Sequence, residues 1–168
     1  MLILRCTRKL LDRLPAPSAA DDAASTTLLG DWYATILMVR PAHLVLLVNE
    51  MTRLPVVLPA RELATLVDRI PHAIAETLTD LGVAGAAIER ERAAMQSIVC
   101  APTRSRSVVG AINEFVFQIQ IRREDEPWAD LRALSFDLTR VLIGVGGREY
   151  VRPADEARRL LATYAVPR

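Results

Sequence analysis

The sequence contains few of the residues that build metal centres and disulfide frameworks. Among its 168 residues are two cysteines, Cys6 and Cys100, and two histidines, His43 and His72. These residues form no Cys-x-x-Cys or His-x-x-x-His spacing of the kind that marks a metal site. A phosphate-binding Gly-Lys-Ser/Thr sequence is also missing. The sequence therefore predicts neither a metal ion nor any other cofactor.

A strong net charge and a long apolar segment are missing as well. With 21 basic and 20 acidic side chains the net charge is +1, so only a local patch could attract nucleic acid or an anionic membrane. The most apolar region, residues 32–48, is interrupted by Arg40 and His43, whereas a membrane helix needs ~18 apolar residues in succession. The apolar start, residues 1–4, is too short for a secretory signal. We therefore predict a cytoplasmic protein with reduced thiols and no membrane association.

The chain does contain enough apolar residues to build a sizeable core. Apolar residues make up 51% of the sequence and charged residues 24%, which is the balance of a folded globular domain. A chain of this length fits one domain that needs no disulfide or metal to be stable. We predict a single α+β domain over residues 1–168, in which an antiparallel meander sheet of four or five strands packs against several helices.

The strands are predicted from apolar and β-branched runs. Residues 2–6, 32–39, 44–48 and 54–58 are such runs, and the last three are joined by short turns typical of a meander. Residues 97–100 resemble a further strand. Because proline cannot donate a backbone hydrogen bond, Pro55 favours an edge position for its strand.

The helices are predicted from apolar residues at three- and four-residue spacing. Residues 8–14 form a short helix, and a longer one begins at residue 60, in which Pro71 should cause a kink or a split. The clearest helix covers residues 105–122. Two more are predicted in residues 127–168 of the same domain, the first starting at Pro127, carrying Trp128 and ending at the glycine-rich residues 144–147.

Cys6 is the candidate nucleophile. It follows a predicted strand, precedes a predicted helix and has Arg5, Arg8 and Lys9 as neighbours. A helix start and basic neighbours lower the pKa of a thiol and favour the reactive thiolate. The alternative is that Cys6 is a small buried residue at the end of a strand.

One face of the helix over residues 105–122 forms a candidate binding site. Steps of four, three and four residues place Arg106, Gly110, Asn113 and Phe117 on the same side. A glycine within a helix costs about 1 kcal/mol relative to alanine, so something should require it. Either another element packs closely there, or Gly110 opens a notch for a carboxylate, phosphate or peptide group. Ser107, near the helix start, would add donors where the helix dipole favours anions.

Two local basic clusters leave a third possibility open. Residues 1–14 carry four basic side chains against one acidic, and so do residues 104–123. If the clusters converged they would form a modest positive patch for nucleic acid. No nucleic-acid-binding motif accompanies them, so solvated surface is the simpler interpretation.

Four motifs occur in an order that resembles a known family. They are the opening RCTRKLL (residues 5–11), Trp32, the turn NEMT (residues 49–52) and RSVVGAINE (residues 106–114). Together they resemble a family of small bacterial proteins that is known only as a domain of unknown function, whose members open with RCTKKLL and later carry RSVLGSMND. The differences from that pattern are mild, and the resemblance spans residues 3–120.

The resemblance implies a set of pattern residues but no activity. Its polar members are either internal hydrogen-bond partners or a binding site, and Asn49 and Thr52 could simply bond their own turn. The set comprises Arg5, Cys6, Thr7, Lys9, Asn49, Thr52, Arg106, Ser107, Gly110 and Asn113.

The preferred hypothesis is a non-enzymatic cytosolic binding module. Its site would be a basic notch, rich in amide groups, between the first strand–helix junction and the helix that carries Arg106, and its partner a protein or a small anionic ligand. The first alternative is an enzyme that uses Cys6 on an anionic substrate held by Arg106 and Asn113. The second alternative is a nucleic-acid-associated protein.

Overall fold

The computed structural model describes residues 1–15, 18, 23–40, 42–125, 130–146 and 149–164. The strands are β1 (Leu2–Cys6), β2 (Trp32–Leu37), β3 (Leu44–Asn49), β4 (Pro55–Pro59), β5 (Ile98–Pro102), β6 (Ile143–Gly146) and β7 (Glu149–Val151). The α-helices are α1 (Arg8–Leu11), α2 (Leu66–Asp80), α3 (Gly85–Ala94), α4 (Arg106–Asp125), α5 (Leu131–Leu138) and α6 (Pro153–Ala162).

Five strands form one mixed sheet, in the order β4-β3-β2-β1-β5. The α+β class is confirmed, and β2, β3 and β4 form the predicted antiparallel meander. A wholly antiparallel sheet was the wrong expectation, because β1 is parallel to both β2 and β5. Parallel neighbours require long crossover connections, and the segments that lead to β2 and β5 are both long. Strand β4, which begins with Pro55, lies at the edge of the sheet as predicted.

The sheet has an apolar core on each side. On the first side, helices α2, α3 and α6 cover a face that includes Cys6, Trp32 and Cys100; we call this the thiol side. On the second side, helices α4 and α5 cover a face that includes Tyr33 and Leu46; we call this the α4 side. Because successive side chains of a strand point to opposite faces, neighbours along β1 and β2 belong to different cores.

Two helices differ from the prediction. Helix α1 ends at Leu11 rather than at residue 14, and Pro71 does not split α2, which is one helix from Leu66 to Asp80. A short 3₁₀ turn, Leu63–Thr65, precedes α2. Helix α4 matches the predicted helix closely, because its apolar residues 108, 112, 115 and 119 all enter the core.

The chain after α4 is organised differently from the prediction. Helix α5 begins at Leu131, where the Asp130 carboxylate accepts hydrogen bonds from two backbone amides, and it ends at Leu138. The predicted helix end at residues 144–147 is therefore wrong, since Ile143–Gly146 is strand β6 of a hairpin with β7. Pro127, Trp128 and Gly147 lie outside the described residues. No helix in the described part of the chain has the length and apolarity to cross a membrane.

Candidate functional site

A cluster of polar side chains lies on the α4 side, between the sheet and the start of α4. Arg5 of β1 and Tyr33 of β2 are directly opposite each other in the parallel register, so both side chains point to the same face. We call the group the polar cluster; its members are Arg5, Asp31, Tyr33, Glu50, Arg53, Arg104 and Ser107.

The centre of the polar cluster is a buried ion pair. The Arg5 Nε donates to the Asp31 Oδ2 at 2.6 Å, and both side chains are more than nine-tenths buried. Ser25 donates to the other Asp31 oxygen at 2.7 Å. An ion pair removed from water is stable only when such additional hydrogen bonds satisfy its remaining atoms. The ion pair therefore ties β1 to Asp31, the residue immediately before β2.

Arg104 connects this ion pair to the solvent. Its guanidinium lies 3.3 Å from Asp31 Oδ2 and 3.6 Å from Glu50 Oε2, and 57% of its side chain is exposed. Tyr33 donates its hydroxyl to Glu50 at 3.2 Å. Burial, together with the Glu50 charge, raises the pKa of Tyr33, so its hydroxyl stays protonated as a donor.

Arg53 joins the cluster from a turn with an unusual backbone. Its φ of 60° lies in the left-handed region, which residues other than glycine seldom adopt. The Arg53 side chain is buried, donates to the Glu50 carbonyl and reaches Ser107 Oγ at 3.1 Å. Ser107 in turn donates to the Val145 carbonyl of β6 at 3.1 Å. Burial lowers the pKa of Arg53, and its Nε has no partner among the described residues.

Asn49 and Thr52 organise the turn between β3 and β4. The Asn49 amide donates to the carbonyls of Leu29 and Asp31, at 2.8 and 3.3 Å. Its side-chain oxygen accepts from the backbone of Met51 and from both the amide and the hydroxyl of Thr52. Both side chains are buried. Every polar atom of Asn49 is thus used inside the protein, which is the turn-bonding alternative considered for these residues.

Thr7 and Lys9 follow the end of β1, and Lys9 belongs to α1. The Thr7 hydroxyl is 3.0 Å from the hydroxyl of Thr35 on β2, and the Thr7 amide donates to the Ala34 carbonyl at 2.9 Å. Lys9 is exposed on α1. Thr7 therefore continues the sheet pairing, whereas Lys9 projects into solvent.

Cys6 lies on the opposite side of the sheet from its neighbour Arg5. It is buried in the core of the thiol side, where Cys100 is also buried, and both thiols are free. A hydrogen bond with Cys100 and burial raise the pKa of Cys6 far above its ordinary value. The expected lowering by basic neighbours does not occur, because Arg5 points to the other face and Lys9 to solvent. This environment disfavours the thiolate that a nucleophile requires.

The outer face of α4 is exposed to solvent. We use this term for the surface formed by Arg106, Gly110, Asn113, Phe117 and Ile121, all of which are exposed. A Cβ atom added to Gly110 would meet no described atom within 4 Å. The close-packing explanation for this glycine therefore finds no neighbour in the described part of the molecule. Phe117, with 59% of its surface exposed, is the large apolar residue of this face.

The structure brings together only part of the predicted site. Arg5 and Ser107 are both members of the polar cluster, which lies next to the turn that contains Asn49 and Thr52. The thiol of Cys6 and the outer face of α4 lie on different sides of the sheet, so one notch cannot contain both. Arg5 of β1 is instead connected through the Asp31 carboxylate to Arg104, two residues before the start of α4.

Part of each basic cluster pairs with nearby carboxylates. Arg5 and Arg104 share Asp31, and Arg8 pairs with Asp12 at 3.2 Å. For metals, the described residues contain no group of three or more His, Cys, Asp or Glu side chains placed to hold an ion.

Sequence reasoning missed Asp31, Tyr33, Glu50 and Arg53 as members of the site. Asp31 is 26 residues from Arg5, and only the parallel pairing of β1 with β2 brings them into contact. The strict alternation around Tyr33 was a usable signal, since it places Tyr33 and Trp32 on opposite faces. Nothing in the residue types of the turn signals the positive φ of Arg53.

The comparison with protein families agrees with the motifs. The model of a family described as a domain of unknown function (DUF6933) matches residues 3–156. The chain belongs to this family. The match extends beyond residue 120, so the DUF6933 domain includes α5, the β6–β7 hairpin and the start of α6. No curated protein and no solved structure matches the chain.

Proposed function

We propose that this DUF6933 domain is a non-enzymatic, cytosolic binding module whose ligand surface is the outer face of α4. The observation that carries the proposal is the open space above Gly110, on a helix face where Arg106 and Asn113 are exposed. An exposed glycine within a helix is unfavourable for folding. A ligand that approaches the helix backbone closely is a reason for it.

The chemistry of this face favours an acidic peptide segment of a protein partner. Arg106 makes no ion pair with a described residue, and it lies at the start of α4, where the helix dipole favours negative charge. Phe117, at the other end of the face, offers an exposed aromatic ring, and aromatic residues are frequent anchors in protein interfaces. An acidic side chain near Arg106 and an apolar one near Phe117 would complement this pattern.

The length of the face fits a short extended segment. Arg106 and Phe117 are eleven positions apart on α4, which corresponds to about 16 Å along the helix axis. An extended peptide advances about 3.3 Å per residue, so roughly five residues span this distance. Gly110 lies between the two ends, where the backbone of such a peptide would lie against the helix.

Selection of peptides from a random displayed library tests the proposal. We expect the selected peptides to combine an acidic residue with an apolar residue about five positions away, and to bind the purified domain in a fluorescence anisotropy titration. Phe117→Ser should weaken binding at least tenfold, the effect of losing an anchor residue. Met38→Ser, which removes another exposed apolar side chain, is the matched control and should leave binding unchanged.

A second pair of variants tests the role of the glycine. Gly110→Leu should block the peptide, whereas Gly85→Leu should not, although a Cβ atom added at either position meets no described atom within 4 Å. Binding that survives both Phe117→Ser and Gly110→Leu would contradict the proposal. Self-association of the domain through this face, measured by sedimentation, would also contradict it, because the occupant would then be a second copy.

A further inference from the structure

A second, separate site candidate is a cleft where α5 and α6 meet the end of α2. It has a volume of about 450 Å³, and the side chains that define its chemistry are those of Leu81, Phe136, Arg140, Arg152, Asp155 and Arg158. This volume lies within the ~300–1,000 Å³ that small-molecule sites typically have. We call it the arginine cleft.

The walls of the arginine cleft are held in place by the fold. The Thr139 carbonyl, at the end of α5, accepts a hydrogen bond from the Ala154 amide in the first turn of α6 at 3.0 Å. Arg158 donates from its Nε to the Leu81 carbonyl at 2.9 Å and from its Nη1 to Asp155 at 3.2 Å. These contacts connect α2, α5 and α6, so the cleft exists before any ligand binds.

The charge in the arginine cleft is not balanced. Arg158 pairs with Asp155, whereas Arg140 and Arg152 are exposed and their side chains contact no carboxylate among the described residues. Within the described part of the molecule, two positive charges at the cleft therefore have no carboxylate partner. A phosphate monoester carries a charge of about −1.5 to −2 at neutral pH and accepts paired hydrogen bonds from guanidinium groups.

The cleft also has an apolar wall. Phe136 and Leu81 line it beside the arginines, and Phe136 is only partly buried. An aromatic ring next to arginines suits a ligand that combines a flat ring with an anionic group, because the ring can stack while the guanidiniums hold the anion. A bare anion would leave this wall unused.

We propose that the arginine cleft binds a phosphate monoester with an attached aromatic ring, of nucleoside monophosphate size. In this arrangement Arg140 and Arg152 hold the phosphate and Phe136 contacts the ring. This site is independent of the outer face of α4, and neither proposal requires the other.

Calorimetric titration with AMP as the probe tests the proposal, with adenosine and inorganic phosphate as separate ligands at equal ionic strength. We expect saturable AMP binding, with each of the other two at least tenfold weaker. AMP that does not saturate the domain at millimolar concentration would contradict the proposal. Inorganic phosphate that binds as tightly as AMP would also contradict it, because the ring would then contribute nothing.

Three variants locate the binding. The double variant Arg140→Gln/Arg152→Gln should weaken AMP binding at least tenfold. The control Arg40→Gln/Arg61→Gln removes the same charge from exposed positions outside the cleft and should have little effect. Equal losses in both double variants would indicate non-specific attraction and overturn the assignment. Phe136→Leu should weaken AMP but not phosphate; an unchanged AMP affinity would exclude the ring contact.

Discussion

The polar cluster with its adjoining turn and the outer face of α4 each contain an arginine and an asparagine, in opposite surroundings. Arg5 is buried against Asp31, and Asn49, beside the cluster, bonds five partner atoms around its turn. Arg106 and Asn113 are exposed and make no such contacts with the described residues. All four residues belong to the motifs that resemble the family pattern. A polar residue in a shared pattern can therefore serve the fold in one place and remain available to a ligand in another.

The largest expected difference is between the two arginines. Arg5→Met should destabilise the domain by about 3–5 kcal/mol, because it leaves the buried Asp31 carboxylate without its main partner. Arg106→Met should change the free energy of unfolding by less than about 0.5 kcal/mol, as is usual for an exposed position. Chemical denaturation of both variants measures the difference. Equal and small effects would show that Asp31 is satisfied without Arg5.

The stability costs of replacing Asn49 and Asn113 should differ less than those of the two arginines, with the buried residue again the more costly. Asn49→Ala should cost about 2–3 kcal/mol, because buried carbonyl and amide groups of the turn lose their partners. Asn113→Ala, on the outer face of α4, is the matched control and should be close to neutral. A cost below about 1 kcal/mol for Asn49→Ala would mean that water replaces the side chain there.

A buried carboxylate, Glu91, should make the stability of the domain depend on pH. It is buried on α3 and accepts hydrogen bonds from the amides of Leu28 and Leu29, yet burial raises its pKa above the ordinary 4.5. The folded protein therefore holds this proton more tightly than the unfolded chain does. The stability that protonated Glu91 contributes is present below pH 4.5 and is lost as pH rises through the folded pKa.

Substitution of Glu91 by glutamine measures the pH-dependent stability that Glu91 contributes. The free energy of unfolding of the unmodified protein, relative to Glu91→Gln, should increase as pH falls from 7 towards 4.5. Glu89→Gln changes an exposed carboxylate on the same helix and should show no such trend. A difference between Glu91→Gln and the unmodified protein that stays constant with pH would contradict the prediction.

The smallest effect is expected at two glycines. Gly110→Ala should stabilise the domain by about 0.5–1 kcal/mol, since the added methyl meets no described atom and favours the helix. Gly82→Ala should destabilise it, because the φ of Gly82 is 73° and alanine is strained there. Thermal melting shows whether each variant is more or less stable than the unmodified protein. Destabilisation by Gly110→Ala would revive the close-packing explanation.

Elements with a strong local pattern could be predicted from the sequence. The meander of β2, β3 and β4 has short turns and alternating or continuous apolar runs, and α4 has a regular apolar stripe. Pro55 correctly indicated an edge strand. In each case the information lies within a few neighbouring residues, which is the range over which periodicity and turn chemistry act.

Features that depend on distant contacts could not be predicted. The parallel pairing of β1 with β2 and β5 joins segments far apart in the chain, and no residue type marks it. The β6–β7 hairpin was mistaken for a helix end because glycine suits both. The partner of Arg5 and the composition of the arginine cleft follow from this three-dimensional arrangement. For Cys6, basic neighbours in sequence were misleading, because adjacent residues of a strand face opposite ways.

The position of Arg5 beside Cys6 also restricts how β1 can assemble. If β1 shifted by one residue against β2 and β5, the guanidinium of Arg5 would enter the apolar layer around Trp32 and Cys100, and the Asp31 carboxylate would keep only its contact with Arg104. Misaligned arrangements of this strand would thus place the charge of Arg5 away from water without a counter-ion. A single arginine in an otherwise apolar strand therefore gives the sheet a safeguard against mispairing that a uniformly apolar strand would lack.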